Sequence, residues 1–486
     1  MQRICTVFHA LGMMLMVFGA AYVMPLLTAW IYADNIMLLD FLLAMAWTLT
    51  IGFLMWLSTR RYKGELSIRH GYLLVVAMWT AMPAFATIPL LMMIPGLSFT
   101  DAYFETMSGM TTTGATVLTG LDNLPPAINI WRHELNWLGG MGIIVLAVAI
   151  LPLLGIGGRQ LFKAETPGPM KESSLTPRIA ETARNLWVVY VAITLACIAA
   201  LKWAGMGWLD AICHAFAAMS LGGFSTHDAS VGYFDSPLIE SVLIVFMLVA
   251  AINFASHFLA WRGKSLKVYL HDAEAVATVI LILGSCVGVG AFLWWQNVYP
   301  GFWTALRHAS FNLVSLATDC GFASVDYAQW PIFAPMWMLF LSCIAVSSGS
   351  TGGGIKMIRT LVLFKQAGRE FLKLLHPSVV NPMKIGGHVI ANNIVFAVLG
   401  FIFLYFMSVS ILTFALLVSG LDFISAFTAI IACINNAGPG LGVVGPASNF
   451  GVLTDFQTWV CTFAMLVGRL EIFTVLILFT PRFWKR

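Results

Sequence analysis

The chain has 486 residues, of which 59% are hydrophobic and only 10% charged, with 26 Lys+Arg against 22 Asp+Glu; a soluble protein carries about 25% charged residues. So few charges, at a mean hydropathy of +0.87, cannot cover a water-soluble body of this size, which excludes a cytosolic enzyme, a secreted domain, a nucleic-acid binder and a disordered chain. The net charge of +4 is small, so its placement matters more than its size.

In chain order, long apolar runs fall near 6–30, 36–58, 70–94, 132–155, 184–204, 236–260, 274–297, 331–346, 388–418 and 456–481. Each is read as crossing a bilayer, which takes about 20 residues. The first run is too long, and too smoothly continued by the second, for a cleaved signal peptide. The run at 331–346 is short, breaks into SSGSTGGG (347–354) and resumes from Ile355 to Lys373, which predicts a discontinuous helix. The count is then ten spans. Shorter apolar stretches near 100–111, 208–220, 303–317 and 421–434 are too short to cross, and re-entrant half-helices are the economical reading. Eight cysteines are scattered through apolar segments without a CxxC, so they read as packing residues rather than a disulfide or zinc framework.

The basic residues sort to one side if every span crosses once and the short stretches go in and out. Arg60, Arg61, Lys63 and Arg69 follow span two; Arg159, Lys163, Lys171, Arg178 and Arg184 follow span four. Arg262, Lys264 and Lys267 follow span six, and Lys356, Arg359, Lys365, Arg369, Lys373 and Lys384 follow the break. The positive-inside rule makes that side cytoplasmic, with both termini on it. Arg132, Lys202, Arg307 and Arg469 fall elsewhere, Lys202 and Arg307 near helix ends where they read as interfacial. The opposite loops carry Asp34, Asp122, Asp228, Asp235, Asp326 and Asp455, a sign that concentrates cations.

The short stretches align with one another: DAYFETMSGMTTTG (101–114), DAICHAFAAMSLGG (210–223), HASFNLVSLATDCG (308–321) and SAFTAIIACINNAG (425–438). Each opens on a residue read as a helix cap (Asp101, Asp210, His308, Ser425) and reaches a glycine thirteen positions on (Gly114, Gly223, Gly321, Gly438). Each lies between two spans. This is an internal repeat taken four times. It predicts an all-α polytopic membrane protein with four pseudo-symmetric span, half-helix, loop, span units around a central pore: 70–155, 184–260, 274–373 with its second span broken, and 388–481. Residues 1–60 form two extra N-terminal spans.

A half-helix that stops in mid-membrane leaves carbonyls unpaired and aims the negative end of its dipole inward. Four such ends favour a desolvated cation, and glycine permits the backbone to turn its carbonyls to the axis. Rings of backbone carbonyls are a known device for selecting potassium. Non-helical backbone at this depth is tolerated only where it lines a pore or cavity.

This plan resembles the TrkH/KtrB/HKT superfamily of potassium transporters, and TrkH-like members above all, over nearly the whole chain. The two extra N-terminal spans, HELNWLGGMGIIV (133–145) and GRLEIFTVLILF (468–479) carry the likeness. The resemblance implies potassium uptake through a single polypeptide that imitates a tetrameric channel, not an enzyme, in the bacterial inner membrane. It places the filter at Thr112, Thr113 and Gly114; Leu221, Gly222 and Gly223; Asp319, Cys320 and Gly321; and Asn436, Ala437 and Gly438, with Cys320 offering its carbonyl rather than its thiol. In plant relatives a serine at the first filter glycine goes with sodium transport, so Gly114 points to potassium. The broken segment, with Gly349, Gly352, Gly353, Gly354 and Lys356, is implied to be an intramembrane gate, and Arg469 a second gate element that faces the pore and touches that loop. Potassium is then the transported ligand, with no organic cofactor on this chain. A homodimer on a soluble, nucleotide-binding, TrkA-like regulatory subunit is implied as well, with the basic loops 156–184 and 355–385 as docking surfaces or as readers of the lipid surface.

Other readings are weaker. Lys356 is followed by Met357, so GxxxxGK[ST] is not satisfied. An Arg at the depth of Arg469 costs at least about 2.5–3.5 kcal/mol and needs a partner, and Glu471, two residues on, faces elsewhere. A membrane-embedded hydrolase would use Ser225 or Ser350 with His214 or His227, but no orienting carboxylate is evident. A coupled carrier of another solute would be built from inverted repeats, unlike these in-phase ones. A selective channel and a proton- or sodium-coupled potassium symporter both fit the residues.

Overall fold

The computed structural model describes residues 2–62, 67–142 and 179–485. Lys63, the end of the 132–155 run and the basic loop bearing Arg159, Lys163, Lys171 and Arg178 lie outside them.

Among the described residues six helices are long and apolar enough to cross a membrane: Ile4–Ile31, Asn35–Thr59, Arg69–Met93, Ala183–Trp203, Ala273–Trp295 and Asn392–Val418. Two runs expected as continuous spans are bent pairs instead: Pro237–Ala250 with Phe254–Gly263 at 94°, and Asp455–Arg469 with Ile472–Phe479 at 113°. The physical reasons are local. Asn253 caps the second segment by accepting from the Ala255 N–H at 2.9 Å. Glu471 adopts φ 60°, which a helix cannot accommodate. The 331–346 run is a 12-residue helix, Phe333–Ile344, and the chain resumes as Met357–Leu375, as its glycine-rich break predicts. Pro126–Met141 ends at Gly142, φ 80°. The breaking of the second helix is therefore not peculiar to the third unit.

The four half-helices are Phe99–Met110, Trp208–Ser220, Phe302–Ala317 and Phe423–Asn435. Their caps differ from the expected ones. Ser98 and Asp422 accept from the N–H groups of Asp101 and Ser425, and glycines 207 and 301 begin the other two. Asp101, Asp210 and Ser425 thus lie in the first turn, while His308 lies well inside a helix that starts a turn earlier than its counterparts. Acidic first-turn residues favour the helix dipole as a cap does, which is why they imitate one in sequence.

The N-terminal helices pack against the first unit. Gly12 and Gly52 bring two helices into backbone contact; a methyl on either would lie within 2.9 Å of the other's carbonyl oxygen. Small residues at helix crossings make this approach possible. Tyr22 donates to Phe85 O at 3.0 Å and stacks on Trp131 at 4.6 Å, and Trp131 donates to Ala86 O at 3.1 Å. A two-residue hairpin, Lys384–Ile385 with His388–Val389, is the β-structure among the described residues. All eight cysteines are free thiols.

Candidate functional site

Each half-helix ends in the same backbone sequence. The residues two before the glycines, Thr112, Leu221, Asp319 and Asn436, adopt φ 54°, 55°, 65° and 58°. The next N–H in each unit folds back on its own helix at 2.8 Å: Thr113 to Ser108 O, Gly222 to Ala217 O, Cys320 to Ser315 O and Ala437 to Ala432 O. This is a left-handed helix stop of the Schellman kind. It uses the N–H inside the helix end. The glycines follow at φ 79°, 65°, 90° and 86°.

These glycines meet in a closed cycle. A methyl added to Gly114 would overlap the carbonyl oxygen of Gly222, and one on Gly223 that of Cys320. A methyl on Gly321 would lie 2.7 Å from Ala437 O, and one on Gly438 2.9 Å from Thr113 O. Each unit's glycine therefore abuts the carbonyl just before the next unit's glycine, and the fourth returns to the first. The Cys320 thiol lies against Ala217 O at 3.8 Å, away from this contact.

The ring glycines and the loop glycines line separate cavities. One, of ≈ 80 Å³, is lined by Gly114, Gly223, Gly321 and Pro439, with Arg132 and Asp228 at its wall. The other, of ≈ 140 Å³, is lined by the loop glycines 349 and 352–354 with Lys356 and Arg469. The sequence-derived residues thus separate into a ring and a loop, and the loop's Gly352 and Gly353 lie against Thr318 O and Asn435 O at the ends of the third and fourth half-helices.

The loop 345–356 is tied to all its surroundings. Its Gly353 N–H donates to Asp319 Oδ2 at 3.0 Å, and Thr351 Oγ1 donates to Met219 O at 3.0 Å, at the end of the second half-helix. Gly349 O accepts from the Phe254 N–H at 3.0 Å, so the break in unit two receives the loop of unit three. Lys356 Nζ bonds Gly352 O within the loop. Arg469 donates to Thr351 O at 2.8 Å and to Gly140 O at 2.9 Å, and also reaches Gly139 O. Its charge is met by carbonyl dipoles, while Glu471 pairs with Arg359 at 2.6 Å.

Several residues position this site that the sequence does not mark for that role, among them Glu105, Asn312 and Thr428, with His214 and Ser225 legible only as a hydrolase pair. Position nine before each ring glycine holds Glu105, His214, Asn312 and Ala429. Glu105 accepts from Thr116 Oγ1 and from the Val117 N–H at 3.0 Å. His214 Nε2 and Ser225 Oγ lie 2.9 Å apart. Asn312 accepts from the Ser324 N–H at 3.0 Å. In unit four the neighbouring Thr428 accepts from the Leu441 N–H at 2.9 Å. The half-helix in each unit thus holds the strand that leaves the ring. Glu105 was the legible signal, an acid inside an otherwise apolar stretch. The Ser225–His214 pair belongs to this bracing: His214 Nδ1 meets the Asp210 carbonyl oxygen at 2.8 Å and not a carboxylate, and both side chains are buried.

Arg307, read as interfacial, is anchored by carboxylates. It forms a bidentate pair with Glu240, at 2.9 and 2.8 Å, and reaches Asp235 at 2.9 Å. Asp122 bonds His227 at 2.5 Å, and Asp228 accepts from the Leu121 N–H at 3.1 Å. Asp122, Asp228 and Asp235 therefore staple loops together.

Residues 38–486 match the TrkH family of cation transport proteins. The chain belongs to that family. The Trk system potassium uptake protein TrkH of Salmonella typhimurium is 46% identical over 478 residues, 98% of either chain, and that of Escherichia coli K12 is 45% identical over the same share. The crystal structure of the potassium transporter TrkH from Vibrio parahaemolyticus superposes with a TM-score of 0.89 at 42% identity, over 99% of this chain and 100% of that one. TrkH-family membership makes the chain a multi-pass membrane transporter and not an enzyme.

Proposed function

We propose that this protein takes up potassium across the bacterial inner membrane, through a pore whose filter is the ring formed by residues 112–114, 221–223, 319–321 and 436–438. The closed cycle of glycines against carbonyls supports this most directly. Four peptide oxygens on one axis, backed by four half-helix C-termini, replace water around a bare monovalent cation. The relatives are named as potassium uptake proteins, and Gly114 keeps the first filter position free of a side chain.

In this reading the 345–356 loop is the gate and Arg469 its counterpart across the cavity. A guanidinium on the cation path raises the barrier to cations, and its bond to Thr351 O ties that barrier to the loop. The protein acts as a homodimer with a TrkA-like nucleotide-binding subunit on its cytoplasmic side, both termini on that side. The relatives' names place them in a Trk system, which fits further components, and helix Met357–Leu375 offers Lys365, Arg369 and Lys373 for docking.

Purified protein in liposomes tests the transport reading. Rubidium uptake that potassium competes away and excess sodium does not is the expected result; equal competition by the two ions overturns it. Repeating the measurement with and without a pH gradient separates channel from proton-coupled behaviour.

A further inference from the structure

Three side chains next to the ring share one condition. Thr112, Asp319 and Asn436 hold the same register, two residues before glycines 114, 321 and 438, and each is at most 1% exposed. Thr112 Oγ1, Asp319 Oδ1 and Asn436 Oδ1 are all buried oxygens without a hydrogen-bond partner among the described residues. Unpaired buried oxygens are rare in folded proteins, and one on a carboxylate is the most costly kind. Three at symmetry-equivalent positions are not scattered defects.

Two of them converge on one point. The second oxygen of Asp319 accepts from the Gly353 N–H at 3.0 Å, and a methyl built on Gly353 would lie 3.2 Å from Asn436 Oδ1. The amide nitrogen of Asn436 is spent on Thr113 Oγ1 at 3.0 Å and Met465 O at 3.1 Å. Its oxygen is thereby fixed as the free end. Leu221 completes the register without a polar atom. The cationic groups acting on Asp319 are Lys356 and Arg469, and Lys356 is held on the loop's own Gly352 carbonyl.

We infer that Thr112, Asp319 and Asn436 form a cation site made of side chains at the inner end of the carbonyl ring, in which Asp319 supplies the formal charge. The inference rests on the reading of the ring as a cation filter. Hydroxyl, carboxylate and amide oxygens are hard donors suited to a dehydrated alkali cation. The site takes the potassium ion that leaves the ring, and the loop covers it through Gly353. With no ion present, Lys356 is the counter-charge, so ion and loop compete for one carboxylate.

Asp319→Asn tests the charge alone. Asn436 already occupies this position in unit four at φ 58°, so the backbone accepts the change, and the amide oxygen keeps an acceptor for Gly353. The probe is barium, close to potassium in size and doubly charged, applied to rubidium uptake by the full-length protein in liposomes. The expected result is a block weakened at least about tenfold, with a raised half-saturating rubidium concentration. Thr112→Val, which keeps the side-chain shape, shifts both in the same direction by less, and carries the test if Asp319→Asn does not reach the membrane. Block and half-saturation within twofold of the unsubstituted protein in whichever variant is expressed overturn the site. Failure of the unsubstituted protein to prefer rubidium over sodium overturns the filter reading itself; intact preference with unchanged block overturns only the inner site.

Discussion

The Glu105 carboxylate and the Arg132 guanidinium lie 2.8 Å apart with 1% of either side chain exposed. Arg132 also donates to Ser225 O at 3.2 Å and lies over the Phe224 ring at 4.4 Å. The pair therefore fixes the strands that leave two neighbouring ring glycines. Removing one partner of a buried pair strands the other charge and costs about 3–5 kcal/mol. Arg132→Ala is expected to lower the melting temperature in detergent and to weaken rubidium selectivity, while Glu105→Leu with Arg132→Met recovers stability more than selectivity. Equal recovery of both would remove the pair's role at the ring.

The four glycines are predicted to rank. All have positive φ, where a side chain costs about 1–2 kcal/mol. Gly114→Ala and Gly223→Ala add a deep overlap with a facing carbonyl, and Gly321→Ala and Gly438→Ala shallower clashes at 2.7 and 2.9 Å. Sodium competition against rubidium uptake should rise most for the first two. A uniform effect across the four would contradict the geometry.

Arg469→Ala is expected to raise potassium flux. The substitution removes a positive charge from the cavity and frees Thr351 O of the loop. A lowered barrier of about 1.4 kcal/mol gives roughly a tenfold rise. Flux unchanged at equal expression counts against its role.

Glu274 anchors both ends of the loop: one oxygen accepts from the N–H of Ser348 at 3.1 Å and of Ile358 at 2.9 Å. Each N–H left buried without a partner costs about 1–3 kcal/mol. Glu274→Ala should produce rubidium leak, while Glu274→Gln, which keeps an acceptor oxygen, should stay close to the unsubstituted protein. A leak of the same size in both would mean that the charge, not the hydrogen bonds, holds the loop.

In the loop after the first half-helix, the hydrogen bond from His227 holds the Asp122 carboxyl below its ordinary range. A carboxyl lowered on folding stabilises the fold above its unfolded pKa and loses that contribution as pH falls through the folded value. Asp122→Asn should therefore melt earlier than the unsubstituted protein at neutral pH, and the gap should narrow below about pH 4. A gap that does not change with pH would assign the effect to packing.

Much of this fold is readable from composition and spacing. The four glycines announce themselves because one unit is repeated at constant internal register, and the break at 347–354 because glycine and serine interrupt an apolar run. The breaks near 251–253 and 470–471 are hidden, since Ala251, Ile252 and Leu470 keep their runs apolar; Asn253 as a cap and Glu471 at positive φ act only in three dimensions. The half-helix caps are hard to place from sequence because Gly207 and Gly301 carry no capping side chain, whereas Asp101 and Asp210 in the first turn look like caps. The bracing series from Glu105 to Thr428 varies in chemistry from unit to unit, so no single residue type marks it.

Anomalous scattering from crystals of the full-length protein grown in rubidium tests the central claim most directly. A rubidium peak is expected between the carbonyl oxygens of Thr113, Gly222, Cys320 and Ala437, displaced when potassium is added beside the rubidium and kept when the same concentration of sodium is added instead. Rubidium bound elsewhere in the same crystals, with nothing between those four oxygens, would contradict it.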